Sequence, residues 1–374
     1  MPAWNADWIS ISIDPREDLG VFGFRKRVTL DSKPSELKVR VSADQRYKLY
    51  VNGQFVEFGP QRGDVLHWFY ETVDLAPFLK AGDNWIAALV WNFGRWAPMA
   101  QHTIRTGFVL EPLSPEYKGL ETPEGWEVAR LKNWSFDMMH AEDMNFYIDI
   151  GPGEIIDFRN APWGWRTGED AKGLADWRKA YSVCRAEDRG TKGGMTPWSL
   201  IPRTLPSMLY VERAIPPKVR RGFKGDSTST DLGEGSSLPD GLTLELGRKY
   251  LFDYEELLTA YPRLEVEGPV GTVLVLTYAE GLWQDKGGKG HRSEVKDKKM
   301  SGYQDKIVLD GERRTIEPLW WRTYRYLMIE VVSPLSSFLG NEGEGAGGEG
   351  FSPYTSISAM IHCTSPATRL PAAL

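Results

Sequence analysis

Apolar and polar positions alternate over short runs through most of this chain, which is the spelling of half-buried strands. The clearest case is YKLYVNGQFVEFGP at 47–60, where Asn52-Gly53 supplies the positive-φ residues of a type I′ turn between two alternating arms. A two-residue loop sets Val51 opposite Gln54, Tyr50 opposite Phe55, Leu49 opposite Val56, Lys48 opposite Glu57 and Tyr47 opposite Phe58. That register predicts one buried face made of Tyr47, Leu49, Val51, Val56 and Phe58. Similar runs predict strands at 22–30, 36–43, 84–93 and 104–110. Residues 123–200 are rich in Trp and Gly, with one short helical piece predicted over GLADWRKAYS at 173–182.

A second set of strands is predicted near 248–254, 261–267, 272–279, 303–310, 315–321 and 323–332. DYEELLTAY carries Asp253 and Glu256 at the spacing of a helix capping box, but strand-like neighbours on both sides make it β-associated here. Between the two sets, 223–243 is polar and turn-forming and reads as a linker or long loop. GNEGEGAGGEG at 340–350 is low in complexity and predicts a disordered loop, after which YTSISAMIH can supply one more strand. Long amphipathic helices are missing from this pattern. The expectation is an all-β protein of two antiparallel, jelly-roll-like β-sandwich domains, 1–200 and 248–365, with 201–247 as linker and 366–374 as an irregular tail.

Length agrees, since 374 residues exceed the usual single domain. A net charge of -6, with lysines scattered among acids, argues against nucleic acid as a partner. The start MPAWNADWIS lacks a basic region followed by a long apolar run, and no span of about 18 apolar residues occurs. No membrane partner and a cytoplasmic location are therefore expected. Cys184 and Cys363 give no disulfide framework or CxxC spacing and are read as buried free thiols. The five histidines, His67, His102, His140, His291 and His362, show no ligand spacing, so no transition-metal site is expected.

Fifteen tryptophans raise the question of sugar stacking, for which a flat indole is suited, although most are expected in the core. Trp163 and Trp165, in PWGW, are candidates for a ligand or domain-contact face, against a favoured reading of packing. IEPLWWRTYRYLMIE at 316–330 concentrates more aromatic surface than one core strand needs. Alternation puts Trp320, Arg322, Tyr324 and Tyr326 on one face and Trp321, Thr323, Arg325 and Leu327 on the other. Such a strand suits a sheet covered on both sides.

Three strings, YPRLEVEGPVGTVLVLTYAEGL, KGHRSEVKDKKMSGYQDKIVLDG and RTIEPLWWRTYRYLMIEV, resemble the α-L-rhamnosidases of glycoside hydrolase family 78. The N-terminal half is similar to the galactose-binding-like sandwich of the same family, over ADQRYKLYVNGQFVEFGPQRGDVLHWFYETVDLAPFLKAGDNWIAALVWNFG and APWGWRTGEDAKGLADWRKA. The resemblance covers roughly 4–333. It departs where the family shows Arg-Asn-Glu-Ile and this chain has Arg292, Ser293, Glu294 and Val295.

The resemblance implies a parent reaction, the inverting hydrolysis of terminal α-L-rhamnosides, performed by acids on an (α/α)6 barrel. Twelve helices of about 11 residues would need more than roughly 130 residues, and about forty follow Val332. The expectation is thus a truncated product, inactive alone and without catalytic residues, that retains at most binding of a rhamnose-containing carbohydrate. Trp163, Trp165, Arg292 and Glu294 would make that contact. Trp320, Trp321, Arg322 and Tyr324 would form a domain interface, and the alternative reading is a structural remnant or interaction module that takes a partner chain on this aromatic face. The resemblance also allows a structural Ca²⁺, and no other cofactor.

Overall fold

The computed structural model describes residues 3–14, 19–137, 151–170, 172–207, 210–213, 215–237 and 242–332, together with the backbone of 359–361 and 367–368. The fold is all-β, with helix among the described residues limited to three-residue 3₁₀ turns. The chain divides into two compact units, the first made of Met1–Trp134, Ile148–Pro152 and Asn160–Pro206, the second of Ser135–Tyr147, Gly153–Arg159 and Ser207–Leu374.

In the first unit, a seven-stranded sheet runs in the order Tyr181–Arg185, Asp7–Ser10, Gly107–Pro112, Lys38–Asp44, Trp68–Asp74, Ser199–Pro202, Glu187–Asp188. A six-stranded sheet runs Arg178–Lys179, Glu127–Arg130, Gly20–Leu30, Gly82–Asn92, Arg46–Val51, Gln54–Gly59. Alternation sorts the seven-stranded sheet's side chains to two faces. Ile9, Phe108 and Leu110 enter the core shared with Phe22, Phe24, Leu49 and Ile86 of the other sheet. Trp8 and Val109 point the other way, into a second apolar cluster with Trp68, Trp198 and Leu200. Most pairings are antiparallel, and Ser199–Pro202 joins Trp68–Asp74 and Glu187–Asp188 in parallel.

The hairpin turns at Asn52-Gly53, with φ of 51° and 78°. Val51 faces Gln54 and Tyr50 faces Phe55 as alternation predicts, but a bulge then puts Leu49 opposite Glu57, Lys48 opposite Phe58 and Tyr47 opposite Gly59. The extra residue reverses the faces beyond it. Tyr47, Leu49 and Val51 enter the core and Val56 packs partly against it, while Phe58 lies under the Arg46 guanidinium at 5.3 Å. Glycine at 59 is required by what the bulge brings there, because a Cβ would meet the Glu71 carboxylate at 2.3 Å.

The helix predicted over 173–182 is replaced by a turn and the strands Arg178–Lys179 and Tyr181–Arg185. The Asp170 carboxylate accepts hydrogen bonds from the Leu174 and Ala175 N–H groups, each at 3.1 Å, and so competes with the helical backbone pattern. Cys184 is a free thiol that is half-buried instead of buried, while Cys363 and the low-complexity run 340–350 lie outside the described residues.

The second unit is built on a nine-stranded sheet. Its main path is Trp134–Asp137, Gly153–Asp157, Tyr303–Val308, Val273–Ala279, Arg322–Val332, Lys249–Tyr261, Ala367–Thr368, Val211–Glu212, with Lys218–Arg220 also paired to Lys249–Tyr261. The stretch DYEELLTAY lies inside one 13-residue strand. Its helix-like spelling marks a bulge, where register shifts between Asp253 and Leu258 and Glu255 takes φ 62°. Asp253 then accepts the Glu255 N–H at 2.8 Å, the local bond that a capping residue would otherwise make. Two small pairings complete the unit, Leu264–Val266 with Arg314–Ile316 and Leu242–Leu244 with Ala359–Ile361.

Candidate functional site

Residues 280–300 leave the end of the strand Val273–Ala279 and form an ordered loop in the second unit. Three apolar side chains seat it, because Leu282, Val295 and Met300 join Leu251, Tyr326 and Met328 in one buried cluster. Trp283 and Lys299 exchange backbone hydrogen bonds at 2.9 and 2.8 Å and close its neck. Inside the loop, the Lys298 ammonium, whose side chain is only 7% exposed, donates to the Lys289 carbonyl at 2.9 Å, the His291 carbonyl at 3.1 Å and Glu294 Oε2 at 3.1 Å. The tip is fixed from below, since the Tyr326 hydroxyl donates to the Arg292 carbonyl at 2.8 Å and Arg220 Nη2 donates to the Ser293 carbonyl at 3.1 Å.

That support is itself anchored. Asp253 accepts two hydrogen bonds from Arg325, at 2.7 and 3.0 Å, and one from Arg220 at 2.6 Å. Burial opposes its charge, but these donors hold its carboxyl below the ordinary value. The result is a rigid platform presenting exposed Arg292 and Glu294, on a loop that also carries the half-exposed Trp283 indole with Lys289 Nζ 5.3 Å from its ring centre. Planar donors, a carboxylate acceptor and an aromatic face on a fixed backbone are the equipment for binding hydroxyl-bearing ligands.

Trp163 and Trp165 belong to the first unit, whereas this loop belongs to the second. Trp165 is 5% exposed. It lies on the outer face of the six-stranded sheet, where Gly23 admits it together with Trp177, which would crowd a Cβ there at 3.0 and 2.9 Å. Arg25 stacks on Trp177 at 3.7 Å and Arg166 on Tyr50 at 4.1 Å, extending the cover. Trp163 is half-buried.

Trp320 and Trp321 stack at 4.0 Å, with Trp320 1% exposed and Trp321 half-buried. Tyr324 is enclosed by Tyr254 and Tyr278, each at 5.4 Å. Arg322 is fully buried and donates to Asp305 through Nη2 at 2.6 Å and Nε at 3.1 Å, and to Glu154 at 3.3 Å. Glu154 also accepts the Leu319 and Trp320 N–H groups, which shapes the turn that ends the predicted strand 315–321 at Ile316. One arginine thus serves two acids: Asp305 holds the closer contacts, and burial pushes the Glu154 carboxyl up to about 7, against the pull of Arg322.

Two further acids carry perturbed protonation that sequence reasoning does not find, for want of any local motif. Burial pushes Asp44 up to about 7 although it accepts from the Thr103 hydroxyl, the Ile104 N–H and Trp198 Nε1. It pushes Glu71 up to about 6 although Tyr47, Gln61 and Arg203 donate to it. All three raised carboxyls are sealed from solvent, which suits scaffolding and denies a substrate access. Among the described residues no three His, Cys, Asp or Glu side chains gather to hold a metal ion, and no helix is long and apolar enough to cross a membrane.

The fold is that of a two-unit β-sandwich region, and comparison with known proteins shows what it is similar to. Residues 245–340, which contain the loop, match the family described as the bacterial alpha-L-rhamnosidase concanavalin-like domain, so this part of the chain is a rhamnosidase-type domain. No curated protein matches. A family 78 rhamnosidase of Bacillus sp. GL1 shares the fold over 99% of this chain with TM-score 0.67 and 15% identity. An α-L-rhamnosidase of Streptomyces avermitilis, solved with L-rhamnose, matches 93% with TM-score 0.56 and 19% identity, and one from Aspergillus terreus matches 96% with TM-score 0.55 and 17% identity. The chain spans 55% of the Bacillus protein and 29% and 36% of the other two. Its fold is that of the β-sandwich region of these rhamnosidases, and the family match lies within 245–340.

Proposed function

We propose that this chain is the non-catalytic front of an α-L-rhamnosidase-like glycoside hydrolase and that it binds, without cleaving, a rhamnose-containing glycoside. The observation that carries this reading is the pre-organised loop 280–300, which lies inside the segment matched to the rhamnosidase domain family and holds Arg292 and Glu294 exposed on a platform fixed by Lys298, Tyr326 and Arg220. Arg292 would donate to adjacent hydroxyls and Glu294 would accept from them. The Streptomyces relative's complex with L-rhamnose supports the ligand class. Sealing of the raised carboxyls of Asp44, Glu71 and Glu154 supports binding without hydrolysis. Trp163, as a partly exposed indole on the other unit, is a secondary candidate for a glycan contact.

Calorimetric titration with L-rhamnose and a rhamnosylated flavonoid tests this. Saturable heat at millimolar sugar, weakened at least about tenfold in Arg292→Ala/Glu294→Ala, is expected. Absence of heat from wild-type protein, or a double variant that binds as well, would remove the reading.

A further inference from the structure

A second recess, on the first unit, has the chemistry of a ligand site of its own. It measures about 330 Å³ and lies between the N-terminal residues Ala3 and Asn5 and the segment from Pro112 to Glu121. Its floor is an ion pair: Arg40 and Glu111 stand opposite each other on adjacent strands, with Arg40 Nη2 donating to Glu111 Oε2 at 2.6 Å and side chains only 2% and 5% exposed. The Trp4 ring has the guanidinium over it, 3.9 Å from the ring centre, and is itself held by a hydrogen bond from its Nε1 to Asp188 Oδ1 at 2.9 Å. Glu111 Oε1 accepts the Asn5 N–H at 2.7 Å. Lys118 and Glu121 stand at the rim.

An ion pair this deep costs more to desolvate than an apolar pair of the same volume, so its place at the floor of an open recess invites a ligand role. Charge decides which ligand. Arg40 and Lys118 balance Glu111 and Glu121, so an anion meets two carboxylates and a cation meets two cations. An uncharged vicinal diol meets neither penalty, because one hydroxyl can accept from a cation while its neighbour donates to a carboxylate. We propose that this recess binds the uncharged polyol end of a saccharide, as a second site separate from the loop 280–300. It shares with the preceding reading the ligand class alone.

Titration of the full chain with L-rhamnose and D-galactose, against D-glucuronate and inorganic phosphate, decides it. Ala3 is exposed at the recess, so Ala3→Trp plugs the cavity without touching the core, and Lys118→Ala removes a rim donor. The expected stoichiometry is two neutral saccharides per chain, falling to one in Ala3→Trp and also to one in Arg292→Ala/Glu294→Ala, with Lys118→Ala weakening the recess site about tenfold. Binding lost in the loop double variant but unchanged in Ala3→Trp and Lys118→Ala overturns the recess and leaves the loop standing. Binding of phosphate or glucuronate in preference to the neutral sugars overturns the ligand class, and no saccharide bound by wild-type protein overturns both sites.

Discussion

At the scale of single residues, Arg322 is the position where sequence and structure inform each other most. Alternation places it on one face with Tyr324, and both are buried. What the alternation cannot supply is Glu154, which reaches Arg322 from 168 positions away. Because Arg322 compensates two buried carboxylates, Arg322→Met leaves them with no counter-charge. Its unfolding free energy, measured in urea, should fall by about 3 kcal/mol or more, and a loss within measurement error would show that the network is not holding the sheet. Asp44 permits a test of sign. Its carboxyl is neutral in both states below its ordinary value of 3.8, and between there and about 7 only the unfolded chain gives up the proton. The contribution is therefore fully present at low pH and lost as pH rises through about 7. Asp44→Asn should flatten the decline of unfolding free energy from pH 4 to 7, and an unchanged slope would assign the decline to Glu71 and Glu154.

At the scale of elements, the turn at Asn52-Gly53 was legible because its backbone demand is local, whereas the bulge two residues later was not, because it depends on Glu71 meeting Gly59. The strand Lys249–Tyr261 shows the same limit from the other side, with a local acid pattern that suggests a helix start and turns out to serve a bulge. Two elements can be loosened selectively. Lys298→Met removes the internal donor of the loop 280–300, and amide exchange should rise across 284–298 while the flanking strands keep their protection. Equal protection in wild type and variant would mean that Leu282, Val295 and Met300 suffice. Gly168 has φ +82° and sits where a Cβ would meet the Trp85 ring at 2.1 Å. Gly168→Ala should lift the cover that includes Trp165 and cost about 2 kcal/mol or more, read out by chemical denaturation together with near-ultraviolet circular dichroism.

At the scale of the whole molecule, the all-β character and most strands could be read from period-two alternation, and the strings within 261–331 that carry the rhamnosidase resemblance fall inside the family match at 245–340. The exchange of chain between units could not be read. Gly153–Asp157 pairs in parallel with Tyr303–Val308 across about 150 residues of sequence, and no turn or spacing announces a long-range parallel pairing. Of the candidate site, Arg292 and Glu294 were visible as charge in a glycine-flanked loop, while the platform beneath them, from Tyr326, Arg220 and Asp253, needed the fold. We propose above that this chain holds a rhamnoside without cleaving it. Saturation-transfer NMR of p-nitrophenyl α-L-rhamnoside, mixed with the full chain and followed for a day, reads both halves at once. Transfer from protein to the sugar protons and an unchanged glycoside anomeric signal are expected; no transfer, or the appearance of free rhamnose and p-nitrophenol, would overturn the proposal.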